Sequence, residues 1–185
     1  MNDFIKKIAL YILQDDSMSD FSYRQRDQSL INKCNSGFEQ IELRTWINQT
    51  QSQDSLVILP LYSKRFNVLH EWFESFSFKK ISDQKKLPSV SFEGSMLGEK
   101  NEYHLLNGED FNFEIEQLKV DVIRVSNRVF NDFGDLDKLY NYLVKPILTD
   151  AKELPNVGVE WAFEYLLLTR IVAVSYTHLT LPTKA

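Results

Sequence analysis

Phe111, Ile115, Leu118, Val122, Val125, Val129 and Phe133 recur at steps of three and four residues. That rhythm lays the apolar side chains along one stripe of an α-helix. Glu114, Glu116, Lys119, Asp121, Arg124, Asn127, Arg128 and Asn131, between them, are left to face water. Glu109, Asp110, Glu114 and Glu116 gather at the start, with Arg124 and Arg128 in the second half, a polarity that complements the helix macrodipole. Asp121 with Arg124, and Arg128 with Asp132, stand at pairing separations, each pair worth about 0.2–0.5 kcal/mol. Gly134 offers a left-handed stop, and Asp135 a cap for a following helix. A helix this long is held mainly by packing, so the remaining chain must supply an apolar surface for the stripe.

The first half of the chain supplies strand patterns. Phe4, Ile5, Ile8, Ile12 and Leu13 predict an amphipathic helix over 3–14, capped by Asn2 or Asp3, followed by a polar turn over 15–20. Residues 21–26 and 30–34 read as short strands. From Gly37, alternation turns Ile41, Leu43, Thr45 and Ile47 one way and Gln40, Glu42, Arg44 and Trp46 the other. Residues 48–55 form a polar connection to a mostly apolar, more buried strand over 56–62. Pro60 in that strand has no N–H to donate and calls for an edge or a bulge.

Residues 65–76 turn helical, with Phe66, Leu69, Phe73 and Phe76 on one stripe. A lysine-rich loop follows over 77–87, with room for a short strand at 78–81. Residues 89–97 and 102–106 read as a second strand pair joined through 98–101. Beyond the long helix come a helix from Leu136 to Ile147, ended or kinked by Pro146, a loop over 149–155, and a helix over 159–172 that is apolar almost all round. This order predicts an α+β fold: a mostly antiparallel sheet from the N-terminal half packed by a C-terminal helical layer, in one domain over 1–174.

Composition narrows the functional classes. Of 185 residues, 43% are hydrophobic and 13% aromatic, enough for a real core, and 25% are charged. The net charge of −5 argues against broad binding to nucleic acid or anionic membranes. Cys34 is the one cysteine, which excludes an intramolecular disulfide and a cysteine zinc site. No run approaches the ~20 apolar residues of a membrane span. The opening MNDFIKKIALYILQDD lacks the basic-then-apolar order of a signal peptide. A cytoplasmic setting is the expectation.

Residues 175–185, SYTHLTLPTKA, resemble the translation of a sequencing-library adapter. The resemblance implies a non-native tail, a natural chain that continues beyond about residue 174, and no functional role for His178.

Candidate chemistry is sparse. Glu39, Glu42 and Arg44 lie on or near one strand. With the order of helix, strands, helix and strands, they loosely resemble the core of metal-dependent nucleases of the restriction-endonuclease type. That resemblance implies an acid on one strand and Glu-x-Lys on the next, holding a metal that activates water. The nearest match here is Glu42-Leu43-Arg44, with arginine for lysine. The strand over 56–62 brings no carboxylate; Asp54 lies just before it and Asp27 stands upstream. A solvated sheet face with cross-strand pairs accounts for the same residues and is preferred.

His70, Glu71 and Glu74 lack the second histidine of a His-Glu-x-x-His zinc motif. His104 with Asp110, or Cys34 as a nucleophile, would each need partners that spacing does not supply. Lys64, Arg65, Lys79, Lys80, Lys85 and Lys86 flank an aromatic helix and could meet phosphates. A solvated run guarding a sheet edge is the preferred reading. The six glycines are scattered and form no phosphate loop.

No complete catalytic set emerges, and no metal or cofactor is called for. The expectation is a bacterial, cytosolic protein-binding or regulatory module of an accessory or toxin-neutralising kind. Its acidic surface would suit a basic protein partner, with Trp46 and Trp72 as anchors. The alternatives are a divergent metal-dependent hydrolase using Glu39, Glu42, Arg44 and Asp54, and a structural domain of a larger protein.

Overall fold

Alternating residues in the first half of the chain do form a sheet. The computed structural model describes residues 2–49, 54–74, 80–105, 110–146 and 165–173. Helix α1 (Asn2–Ile12) leads into strands β1 (Ser22–Arg24), β2 (Ser29–Cys34), β3 (Gly37–Gln49) and β4 (Asp54–Phe66). Helices α2 (Asn67–Phe73) and α3 (Ile81–Gln84) follow, then strands β5 (Val90–Glu93) and β6 (Tyr103–Leu105). Helices α4 (Asp110–Asp132), α5 (Leu136–Leu143) and α6 (165–173) complete the order. The fold is α+β, with the antiparallel sheet drawn mainly from the N-terminal half and the longest described helix, α4, in the C-terminal half.

The chain divides into two compact units, Met1–Arg65 with Val90–Phe130, and Phe66–Ser89 with Asn131–Ala185. The first holds the sheet, in the order β1-β2-β3-β4-β5, with β6 also on β4. Strands β1 and β2 are antiparallel, and β2 pairs with β3 from Cys34↔Gly37 to Ser29↔Glu42. Ile41, Leu43, Leu30, Val57 and Ile58 are fully buried. So are Leu118, Val122 and Val129 of α4, while Val125 is all but so. Burying such a side chain contributes about 1.5–3 kcal/mol each, which makes the α4 stripe a major tie of this unit. Ile5, Ala9 and Ile12 of α1 are likewise sealed. Phe21 stacks on Phe130 with ring centroids 5.9 Å apart. Met18, within the turn over 15–20, is buried too, an apolar anchor in a stretch that otherwise reads as polar.

Pro60 shapes the sheet in a way the sequence pattern does not anticipate. Strand β4 is interior, not an edge, and its outer partner is split in two. Strand β5 pairs with Leu61 to Lys64, and β6 with Leu56 to Ile58, both antiparallel. The ladder is interrupted opposite Leu59 and Pro60, where the missing N–H would have left a gap. The expected pairing of 89–97 with 102–106 is therefore corrected. The two segments run the same way along one side of β4, with 94–102 looping out between them. Gly94 is required at the start of that loop, because a Cβ there would meet the Lys100 carbonyl oxygen at 2.4 Å. The Glu99 amide donates to Gly94 O at 2.9 Å, and Gly98 closes the turn with φ +70°.

Other boundaries also move. Arg65 and Phe66 belong to β4, not to the following helix. Within 77–87, Ile81–Gln84 form a helical turn; residues 75–79, with half of the proposed short strand, lie outside the described residues. Gly134 does not adopt a left-handed backbone; its amide donates to Asn131 O at 3.3 Å.

In the second unit, Asp135 caps α5 as its spacing predicts, accepting from the Lys138 amide at 2.8 Å. Phe133, at the end of the long apolar stripe, meets Tyr142 edge-on at 4.7 Å. Helix α5 ends at Leu143, before Pro146. In α6, Leu168 and Val172 are buried but Leu166 is exposed, so this stretch of the last helix is not apolar-buried on every side. The loop expected over 149–155 and residues 159–164 lie outside the described residues.

Candidate functional site

Strand β3 changes character along its length. At Gly37–Glu42 it is hydrogen-bonded to β2, and the Leu43 amide makes one further bond to Gln28 O at 3.0 Å. There the neighbouring chain leaves. Gln28 takes a left-handed conformation (φ 48°) at the end of a tight turn over Gln25–Asp27. Asp27 braces that turn, receiving the Arg24 Nε–H at 2.7 Å and the Ser29 hydroxyl at 2.9 Å. Burial pushes the Asp27 carboxyl up, but the bonds from Arg24 and Ser29 and the Arg24 charge outweigh it, holding the group below its ordinary value. Past this point β3 continues as Arg44–Gln49 with no neighbour on that side among the described residues.

The exposure pattern follows. Ile41 and Leu43 are fully buried, yet Ile47, on the same face by alternation, is 55% exposed. Trp46, on the opposite face, is 40% exposed. Thr45 is half-buried, its hydroxyl donating to Gln28 Oε1 at 3.2 Å. Thr45 and Ile47 lie on the face of Ile41 and Leu43 by alternation but are not buried with it: the strand outruns its cover. Alternation marked Trp46 as outward-facing, but it could not mark Ile47. The available signal was the polar run Asn48 to Ser55 immediately after it. Trp72 lies on α2, but its side chain is outside the described residues.

The expected carboxylates are scattered among ion pairs. Glu39 shares the face of Ile41 and Leu43, and a carboxylate there needs a partner. Lys64 of β4 supplies it, donating to Glu39 Oε1 at 2.8 Å, and Asn32 donates to Oε2 at 3.2 Å. The side chains of Lys64 and Glu39 are only 10% and 19% exposed. Glu42 sits 3.5 Å from Arg44 Nε on the opposite, more open face. Asp54 begins β4, with its side chain outside the described residues. Among the described residues, no three His, Cys, Asp or Glu side chains gather as a metal site.

The remaining candidates are also dispersed. Lys64 and Arg65 are buried in β4, whereas Lys80, Lys85 and Lys86 are exposed. His70 is buried with Nε2 3.0 Å from Ser89 Oγ, which also accepts the Phe66 amide at 2.9 Å. His104 faces Glu102 at 3.5 Å, and Cys34 is exposed beside Ser36.

One polar network escaped sequence reasoning. Asp121 is buried in α4 and accepts from Tyr103 Oη (2.9 Å), Gln117 Nε2 (3.0 Å) and Arg124 Nη2 (2.9 Å). Burial raises its pKa, but those three bonds and the Arg124 charge prevail and hold it below the usual carboxylate range. Arg124 and Arg128 both reach Glu99 in the 94–102 loop, at 2.7 and 3.1 Å. Burial first, and then the bond to Asp121, raise the Tyr103 phenol. Every charge here has a partner, so the network is a clasp between loop and helix. The Asp121–Arg124 spacing was visible as a surface helix pair; its burial was not.

No family model matches the chain, and neither a curated protein nor a solved structure matches it at a significant level.

Proposed function

We propose that the chain is a protein-binding module whose docking surface is the open end of β3, with Trp46 as anchor. The observation that carries this reading is the pairing of exposed Trp46 and Ile47 on a strand segment that, among the described residues, has no strand on one side. Exposed aromatics on such a surface are frequent binding hot spots, and an unpaired strand edge offers ready hydrogen bonds to an incoming chain. The net charge of −5 favours a basic partner through electrostatic complementarity. A cytoplasmic regulatory or toxin-neutralising role fits that chemistry.

A hydrolase built on Glu39, Glu42, Arg44 and Asp54 is less favoured. It would need carboxylates free to hold a cation, and Glu39 is bonded to Lys64 and Asn32 while Glu42 faces Arg44.

The test is quantitative affinity capture from the source cells with the wild type and with Trp46→Ser, in parallel. Loss of one basic protein from the variant supports the reading. Identical recoveries, or a magnesium-dependent rise in melting temperature with nucleic-acid cleavage, overturn it.

A further inference from the structure

We propose that the open end of β3 pairs antiparallel with the same segment of a second copy, joining two sheets across a two-fold axis. This rests on the reading of Arg44–Gln49 as a docking surface and names its occupant.

The first step is parity. In an antiparallel strand, the N–H and C=O of one residue point to the same side, and the side alternates along the chain. The Leu43 amide donates to Gln28 O, toward β2. The backbone groups of Thr45, Ile47 and Gln49 therefore face the open side, and those of Trp46 and Asn48 face β4. The open side thus carries a row of donors and acceptors at the spacing of a strand, together with exposed Ile47.

The second step is how the sheet treats its other edges. Exposed edges invite pairing, and proteins blunt them with short strands, interruptions, lysine, proline or bulges. Strand β1 is three residues long and ends in the turn braced by Arg24 and Asp27. On the opposite side, β5 and β6 are four and three residues long and split by the 94–102 loop. Residues 45–49 (Thr-Trp-Ile-Asn-Gln) contain no lysine, no proline and no charge. Among the described residues, this edge segment carries none of those devices, unlike β1, β5 and β6.

The third step is the occupant. In antiparallel self-pairing, residues whose backbone faces the edge oppose one another. Thr45, Ile47 and Gln49 thus meet only each other's uncharged side chains. Arg44 is the sole charge in the segment. A register setting Arg44 against its own copy would place the pairing around Leu43, where Gln28 already sits. A register setting Arg44 against Trp46 would bring Ile47 to Leu43 and is excluded in the same way; the remaining registers set Arg44 against Asn48 or the chain beyond, so no like charges meet. Each partner's exposed Trp46 and Ile47 gain cover from the other.

The experiment is analytical ultracentrifugation of the full chain over a wide dilution series, at low and high salt. The expected result is a monomer–dimer equilibrium. It should tighten with salt, because two copies of charge −5 repel through solvent. Ile47→Pro removes a donor that faces only the open side, and Ile47→Lys places a charge there. Each should weaken dimerisation by about tenfold or more while leaving the monomer's melting temperature nearly unchanged. Trp46→Pro removes a donor facing β4 and should lower the melting temperature. A wild type that stays monomeric throughout overturns the proposal, as do Ile47→Lys and Ile47→Pro variants that dimerise like wild type. If the wild type is monomeric yet Trp46→Ser still loses a captured partner, self-pairing falls and the binding-module reading stands. If capture is also unchanged, both fall.

Discussion

The two halves of β3 are one strand under two regimes. Gly37–Leu43 is paired on the β2 side, and its inward face carries Ile41 and Leu43 at zero exposure and the Glu39–Lys64 ion pair. Arg44–Gln49 continues the same strand, but among the described residues no strand pairs with it on that side, and Ile47 stands out from the face that was buried four residues earlier. Strand propensity alone does not separate them, since Thr45, Trp46 and Ile47 are good strand formers. The difference is made by a neighbour, at the residue where Gln28 turns the chain away. Burial is thus a property of what arrives beside a strand, and a single turn can convert core into surface.

The sharpest way to break the contrast is to remove a partner from the closed half. Lys64→Ala leaves the half-buried Glu39 carboxylate, on the face of Ile41 and Leu43, with only Asn32 for a partner among the described residues. Stripping one member of a buried pair costs about 3–5 kcal/mol, so urea unfolding should show a loss of that order. The paired change Glu39→Gln with Lys64→Met should recover much of it. Recovery by the double variant would confirm that the penalty comes from the stranded charge.

Leu43→Ala and Ile47→Ala test the same contrast with apolar groups. Leu43 is fully buried, and its truncation should cost about 2–5 kcal/mol through lost transfer energy and a residual cavity. Ile47 is more than half exposed, and its truncation should change the monomer's stability by no more than about 0.5 kcal/mol. Comparable losses at both sites would mean that Ile47 is covered in solution and that the strand has no open half.

How much of this was legible from the residues depends on the range of the cause. The α4 stripe was legible because its signal is periodic and local: Leu118, Val122, Val125 and Val129 are buried as their spacing predicts. Asp135 capping α5 was legible for the same reason. Alternation placed Thr45 and Ile47 on the face of Ile41 and Leu43 but could not give their exposure, because the end of β2 is decided at Gln28, far from them in sequence. Residues 89–97 and 102–106 both read as strands, yet their common partner β4 and the break at Pro60 are long-range facts. At the candidate site, Trp46 was legible from alternation. The neutralisation of Glu39 by a lysine 25 residues on was not.

The boundary between the halves has its own pH dependence. The fold holds the Asp27 carboxyl below its ordinary value, so as pH falls the unfolded chain takes up the proton first. The stability linked to Asp27 is complete above the unfolded value near 4. It declines as pH drops from there toward the folded value. Asp121 is shifted in the same direction and adds to the same acid slope. Asp27→Asn should cost about 1 kcal/mol at neutral pH through weakened bonds to Arg24 and Ser29, and the variant should lose less stability than wild type on acidification. Thermal melts at neutral and acidic pH read both effects. Parallel acid slopes for the two proteins would show that Asp27 does not brace the turn.

The smallest effect belongs to the ion pair at the junction. Arg44 and Glu42 face each other at 3.5 Å with side chains 47% and 32% exposed. Exposed pairs of this kind contribute about 0–1 kcal/mol, so Arg44→Ala should scarcely move the urea midpoint. Its influence on association should also be small in the self-pairing arrangement, where Arg44 meets no charge. Against a basic partner the outcome differs in sign. Deleting a cation from the rim of an acidic surface should speed the approach of a positively charged protein, most visibly at low salt. A faster association rate for Arg44→Ala with the captured partner, beside an unchanged dimer constant, would show that the junction charge acts on a basic partner and not on self-pairing.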